Sequence, residues 1–441
     1  MDLLEEARRA GVVGAGGAGF PTYAKLNCRA DYLLVNGAEC EPLLRVDQLL
    51  MARWPDQVIL GAQGAAEAVG AENVIIGVKG KHKDAIEQLE NRIAALGLSN
   101  RARVGVLPDI YPAGDEVVLV YQLTGRIVPE LGLPKDVGCV VVNAETCLNL
   151  YRAQQGQPLT EKYVTITGDV PAPKTVRTPI GTPIRDLLRL SGVERLSGYR
   201  VIRGGPMMGS LMETAEDYVS KTDKGFILLK ETHPLVQKKA RKESAVRRVN
   251  RSACEQCRMC TDLCPRFLLG HRLQPHKLMR GWITGGKDLQ PAAALCSQCG
   301  LCEYFSCPAN LYPRMNNIAF KQKLAEESIR YQPGEQPPKA HENRPYRLIP
   351  SHKLTARLGL GRFDHPAPWS DELLSPIEVR IATKQHIGAA AKPVVQVGQR
   401  VSKNQVIGEV ERDRLGVPIH ASIDGVVTAC DEICVVLRKE A

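Results

Sequence analysis

The sequence predicts a multidomain protein of α/β and α+β units, and three observations predict it. Residues 1 to about 155 alternate short apolar runs with stretches of helical period. From about 156 the pattern shifts to half-buried strands around one short helix. Between 245 and 330 stand two regular cysteine runs. The 441 residues suggest about three domains, and 44% hydrophobic residues suffice for a core in each.

Leu3 to Ala10 reads as a helix. Tyr32–Val35, Asn73–Val78, Val104–Leu107 and Cys139–Val142 read as strands. Helical stretches follow the last three, at 84–96, 116–123 and through Leu148 and Tyr151, so 1–155 is an α/β layered domain. In 156–235, Tyr163–Thr167 alternates like a strand, a hairpin spans 170–179, and Pro183–Leu190 is a short helix. Strands at 199–202 and 225–229 complete a β-grasp unit. A cluster-binding domain is expected over 245–330. Residues 331–370 are rich in Pro and charge and are expected to be a linker. The last stretch, 371–441, has short strands with glycine turns and reads as a small all-β unit.

The cysteine runs are Cys254-x2-Cys257-x2-Cys260-x3-Cys264-Pro265 and Cys296-x2-Cys299-x2-Cys302-x4-Cys307-Pro308. CxxCxxC wraps three corners of a cubane, and in two-cluster ferredoxins the fourth thiolate comes from the other run. This assigns one [4Fe–4S] cluster to Cys254, Cys257, Cys260 and Cys307. The other takes Cys296, Cys299, Cys302 and Cys264. Zinc is the first alternative, but zinc gives no reason for triplets followed by Cys-Pro. Disulfides are the second; the opening MDLLEEARRAG has acidic residues and no long apolar core, so no secretory signal and a cytoplasmic location are expected. Cys28, Cys40, Cys139, Cys147, Cys430 and Cys434 have no ligand spacing.

Some classes are disfavoured. Aromatics make up 5% of the chain, too few for a stacking surface on single-stranded nucleic acid. No apolar run reaches the roughly 20 residues of a spanning helix, so no direct membrane insertion is expected. Lys238, Lys239, Arg241 and Lys242, with Arg247, Arg248 and Arg251, read as a solvated linker; the alternative is a docking patch for an acidic partner.

Gly14-Ala15-Gly16-Gly17-Ala18-Gly19-Phe20 satisfies G-x-G-x-x-G, but a helix precedes it rather than a strand. That rejects an ordinary Rossmann turn. The loop still lets bare backbone N–H groups approach a phosphate or flat ring, with Lys25 just beyond. Glu39 and Glu41 have a bland alternative as N-terminal caps of a helix beginning near Pro42.

The loop with Lys25 resembles the NADH-binding flavoprotein family of respiratory complex I. Asn36-Gly37-Ala38-Glu39-Cys40-Glu41-Pro42, Tyr111-Pro112-Ala113-Gly114-Asp115-Glu116 and Asn143-Ala144-Glu145-Thr146 resemble further segments of that family, in the same order. The resemblance implies noncovalent FMN at Gly14, Gly16, Lys25, Asn36, Asp115 and Asn143. It implies NADH near Gly17, Ala18 and Phe20, with Glu41 and Glu116 contacting the nucleotide and Glu39 among the cofactor-binding residues. Ala38, Asp115 and Val142 depart from the family pattern. Thr167–Val170 and Gly204–Gly209 resemble the soluble-ligand-binding β-grasp domain. Lys384–Gly388, Pro418–Ala421 and Asp424–Val427 resemble a lipoyl-like barrel-sandwich domain. The RnfC family of the Rnf electron-transfer complex has that unit first; here it is last. The order is similar to the cobalamin reductase family of propanediol-utilisation microcompartments.

That resemblance implies an NADH-dependent reductase using FMN and two [4Fe–4S] clusters, with no catalytic acid or base required. Its expected acceptor is cob(II)alamin, free or for a cobalamin adenosyltransferase, inside a microcompartment with shell proteins nearby. The alternatives are a component of an NADH:ferredoxin ion pump or an electron-carrier scaffold with a vestigial flavin site.

Overall fold

The structure, a computed structural model, describes residues 2–284, 290–372 and 374–440. The first unit is a parallel sheet in the order Ala102–Leu107, Asn73–Lys79, Tyr32–Gly37, Cys139–Asn143. Its inner strands are mostly apolar because helices cover both faces, while the edge strand Ala102–Leu107 exposes Arg103 and Val106. Leu33, Val35, Val74 and Ile76 point to one core, shared with helices Pro55–Val69 and Ala144–Gln154. Leu34, Ile75 and Val141 point to the other, under helix Glu116–Thr124. The two helices of the first face touch at Gly61, where a Cβ would lie 1.9 Å from the Cys147 carbonyl oxygen. The glycine loop follows helix Leu3–Arg9 and precedes the first strand.

The second sheet runs Trp369–Ser370, Lys174–Pro179, Glu161–Gly168, Gly225–Lys230, Tyr199–Arg203, Ser210–Leu211. Helix Ile184–Leu190 packs on it through Ile184, Leu187 and Leu188. The cysteine region is a set of short helices around Leu273, Leu278, Phe320 and Leu324, with Cys264 and Cys296 in the same core. At the C-terminal end, two small sheets of four and three strands close around Val379, Ile381, Ile407, Ile419 and Val435. Among the described residues no helix is long and apolar enough to cross a membrane.

The stretch expected as a linker is instead packed against three units. Ile349–Pro350 pairs with Ile110–Tyr111, and Trp369–Ser370 adds an edge strand beside Lys174–Pro179. Leu354, Leu358, Leu360 and Phe363 are buried with Ile202, Met207 and Leu301. The apolar residues that drive this are spaced among charges, so composition hides them.

Buried cations clasp the units together. Lys162 of the second sheet and Glu145 of the first unit form an ion pair with both side chains fully buried. Lys221 donates to the Gly11 carbonyl at 2.9 Å and the Pro418 carbonyl at 3.0 Å, joining three units at one ammonium. Burial pulls Lys221 from its ordinary 10.5 down to about 7. His420 and His386 lie close enough to feel its charge and are themselves lowered, chiefly by burial, so both are neutral in that range. Between these two values for Lys221 the unfolded chain binds a proton that the folded one does not, so stability should rise with pH across that window. Thermal midpoints over the same range should show this rise in the parent chain and lose it in Lys221→Met. Parallel curves would mean that Lys221 stays charged in the fold.

Candidate redox site

A cavity of about 450 Å³ opens at the carboxyl ends of the parallel strands. That is where open α/β sheets place ligands, and the volume suits one small molecule. Gly14, Gly16, Gly17, Ala18, Phe20, Lys25, Asn36, Glu116 and Asn143 all line it. The loop is pinned at its base, where the Ala15 N–H donates to the buried Thr146 hydroxyl at 2.9 Å. It closes on itself through Gly14 N–H to the Phe20 carbonyl at 3.0 Å. Gly19 has φ +71°, and a Cβ there would meet Thr222 Cγ2 at 2.7 Å, so glycine is required. A Cβ on Gly17 would meet nothing within 4 Å, so Gly17 fronts open space.

The polar groups are oriented from behind. Asn36 Nδ2 donates to the Gly114 carbonyl at 2.9 Å, and Asn143 Nδ2 to the Asn36 carbonyl at 3.2 Å. Asn143 also caps helix Ala144–Gln154, accepting from the Glu145 N–H at 3.0 Å. Lys25 pairs with Glu116 at 2.5 Å across the cavity wall. Bare loop amides, an ammonium and an apolar wall of Val140, Val141 and Val142 suit a flat ring that carries a phosphate.

Three predicted residues do not line this cavity. Glu41 accepts from the Met207 and Met208 N–H groups at 2.8 and 2.9 Å, holding the turn from Gly204 to Gly209. A Cβ on Gly205 would lie 2.1 Å from that carboxylate. Glu39 has φ +37° and accepts from the Gln48 N–H at 3.1 Å. Burial, reinforced by Asp47, pushes its carboxyl up to about 7. Asp115 caps helix Glu116–Thr124 and pairs with Arg266 at 3.1 Å.

The cysteines gather in two groups of four. Cys264, Cys296, Cys299 and Cys302 line one small cavity with Arg266, Arg314 and Asn317. Cys260 faces Cys254, Cys257 and Cys307. In each run the same two positions are left-handed: Gln256 and Arg258 at φ +55° and +67°, Gln298 and Gly300 at φ +59° and +81°. Those kinks turn the backbone at the same places in both runs. Polar hydrogens face the sulfurs, from Gln256 Nε2 to Cys254 at 3.2 Å, Leu311 N–H to Cys307 at 3.3 Å and Asn317 Nδ2 to Cys296 at 3.4 Å. Burial and neighbouring thiols push Cys260 up to about 12, and burial does the same to Cys264. Thiols in so dry a setting lose their protons to a bound metal rather than to water. Four thiols per group with N–H donors around them fit a [4Fe–4S] cluster.

One segment touches both cavities. Gly114 and Glu116 line the first. The Tyr111 hydroxyl donates to the Cys299 carbonyl at 2.6 Å, and Asp115 reaches Arg266 in the wall of the second. Cys40 accepts from the Gly114 N–H at 2.7 Å and packs beside Tyr111 and Cys299. Thr146, Tyr111 and Arg266 were not anticipated. Thr146 and Tyr111 stand in motif segments and Arg266 follows Cys264-Pro265, but no local pattern marks their role.

Comparison with known proteins agrees with this layout. The profile of the Nuo51 FMN-binding domain matches residues 7–152, and that of the SLBB domain matches 163–210. The 4Fe-4S dicluster domain matches 253–312, and the RnfC barrel sandwich hybrid domain matches 371–441. Cobalamin reductase PduS of Salmonella typhimurium is 43% identical over 435 residues, covering 98% of this chain and 95% of that one. The chain belongs to the PduS cobalamin reductase family. The PduS of Citrobacter freundii is 42% identical with the same coverage. A component of the Na(+)-translocating ferredoxin:NAD(+) oxidoreductase complex of Acetobacterium woodii is 37% identical, over 59% of this chain and 56% of that one. The chain is thus an oxidoreductase with an FMN-binding domain and a 4Fe-4S dicluster domain, built for electron transfer between flavin and iron–sulfur centres.

The grouping of the cysteines predicts crossed ligation. Cys264→Ser should remove the electron paramagnetic resonance signal of the cluster held by Cys296, Cys299 and Cys302 and leave the other. Loss of the Cys254 cluster alone would contradict the crossing.

Proposed function

We propose that the chain passes electrons from NADH, through FMN and two [4Fe–4S] clusters, to cob(II)alamin. The observation that carries this reading is the Tyr111–Glu116 segment, which lines the loop cavity at Gly114 and Glu116 and bonds to Cys299 and Arg266, two residues that line the cysteine cavity. The direction and acceptor are supported by the PduS relatives, which match the whole length of the chain. The ion-pump relative matches a part only. FMN held there would supply the exchange between a two-electron hydride donor and one-electron iron–sulfur acceptors.

The chain's own residues bind and orient. Gly14 and Gly16 keep side chains off the ring, Asn36 and Asn143 present amides held from behind, and Lys25 offers its ammonium to the phosphate. Gly17, Ala18 and Phe20 leave the outer face open for the nicotinamide, with Glu116 at its edge. Asp115 acts from outside the cavity, fixing helix Glu116–Thr124 and Arg266 together. Glu39 and Glu41 serve the fold rather than the nucleotide. Cob(II)alamin reduced in this way is the form that an adenosyltransferase requires, and a microcompartment with its shell proteins is the proposed setting.

Gly17→Val should block flavin reduction by NADH while FMN and both clusters remain bound. Dithionite needs no nucleotide site and should still reduce the clusters. Anaerobic absorbance spectroscopy, with cob(II)alamin consumption followed at the same time, measures both. Flavin reduction by NADH at the parent rate would remove this loop from the nucleotide site.

A further inference from the structure

The two cysteine groups differ in exposure. Of the eight, Cys257 alone is exposed. Its group makes none of the contacts to the Tyr111–Glu116 segment that Cys299 and Arg266 make, among the described residues. The group with Cys264 therefore adjoins the flavin cavity, and the group with Cys257 meets solvent.

Most of the exposed charged side chains near Cys257 are cationic. Arg248 and Arg251 lie on one face of helix Glu243–Ala253, which ends at Cys254. Arg258 follows Cys257 directly. Lys277 follows His276, whose carbonyl accepts from the same Gln256 amide that reaches the Cys254 sulfur. Arg248, Arg251 and Lys277 have no ion-pair partner among the described residues. The nearby acids are mostly taken: Glu243 by Arg247, and Asp262 by Arg258 and Arg347. Glu255 is the one acid left exposed on this stretch. Lys238 and Lys239 of the same basic run turn inward, onto the carbonyls of Glu303 and Gly209, and take no part. Met259, 44% exposed, supplies an apolar centre among the cations.

We propose that this face is where electrons leave the chain, to a protein acceptor that presents an acidic surface. The proposal rests on the two-cluster reading above and deepens its outward half. Unpaired cations held close together repel one another, and an acidic partner removes that cost. A small apolar centre with a charged rim is the form of short-lived redox contacts, where charge speeds encounter more than it tightens binding. Each transfer moves one electron from the cluster to the acceptor's metal. The cluster is oxidised by one electron, the acceptor is reduced by one, and no bond or proton moves.

Cytochrome b5, with an acidic face around a one-electron haem, serves as the probe. Cytochrome c, with a basic face, is its opposite. The holoprotein is compared with Arg248→Glu/Arg251→Glu/Lys277→Glu and with a control of equal charge change elsewhere, Lys83→Glu/Arg195→Glu/Arg412→Glu. Binding of oxidised cytochrome b5 is titrated by nuclear magnetic resonance, and haem reduction by the photoreduced protein is followed by stopped flow. At low ionic strength the patch variant should lose about tenfold in both, and the control far less. Salt should weaken the parent toward the patch variant, and cytochrome c should gain where cytochrome b5 loses. Cluster spectra and reduction of free cob(II)alamin should stay unchanged in the patch variant. Equal behaviour of the patch variant and the parent, or an equal loss in the control, would overturn the proposal. Absence of cluster signals in the parent would overturn it together with the reading beneath it.

Discussion

One segment must hold two cavities side by side, and the rest of the structure serves that constraint. Electrons tunnel only over short gaps, so a flavin and a cluster cannot sit in domains that drift apart. That segment is Tyr111–Glu116, a wall of the loop cavity, and it is fixed at four places. Asn36 holds the Gly114 carbonyl, Cys40 the Gly114 N–H, Tyr111 the Cys299 carbonyl, and Asp115 the Arg266 guanidinium. Helix Glu116–Thr124 begins at the end of this wall, so the wall is also anchored in the core of the first unit.

Holding the wall still requires the units to be docked. The packed stretch from 344 to 370 does this on one side: its strand pairs with Ile110–Tyr111 at the base of the wall, and its edge strand joins the second sheet. Glu41 does it on another, reaching from the first unit to the Met207 and Met208 amides beside the cysteine region. The Lys162–Glu145 pair and Lys221 complete the clasp at the glycine loop. Buried ions of this kind contribute little to net stability, because desolvation offsets attraction, yet removing one partner costs several kcal/mol. They fix orientation more than they add stability.

Much of the layout was legible in the chain. The strands and helices of the first unit declare themselves through apolar runs, since both faces of a parallel sheet are buried. The cysteine spacing announced two groups, and the glycine loop announced a cavity. What stayed hidden depended on which way a side chain turned. Glu41 sits in a segment that resembles a nucleotide contact, but its carboxylate faces away, onto backbone amides. Asp115 stands in a flavin segment yet works through a helix cap and an arginine 151 residues distant. The stretch after 331 looked like a tether because its buried leucines are diluted by charge. The basic run from Lys238 looked uniform, whereas two of its lysines are packed inward. Left-handed residues at matching places in both cysteine runs leave no mark in composition, since Gln, Arg and Gly fill them alike.

The order of the two cysteine groups is tested most directly by stopping the chain of transfer at each one. Cys299→Ser should break the group beside the wall, and Cys254→Ser the group at the surface. Stopped-flow absorbance after photoreduction of the flavin should show its electrons leaving at the parent rate in Cys254→Ser and remaining on the flavin in Cys299→Ser. Rapid reduction of the surface cluster in Cys299→Ser would show that the wall is not the route.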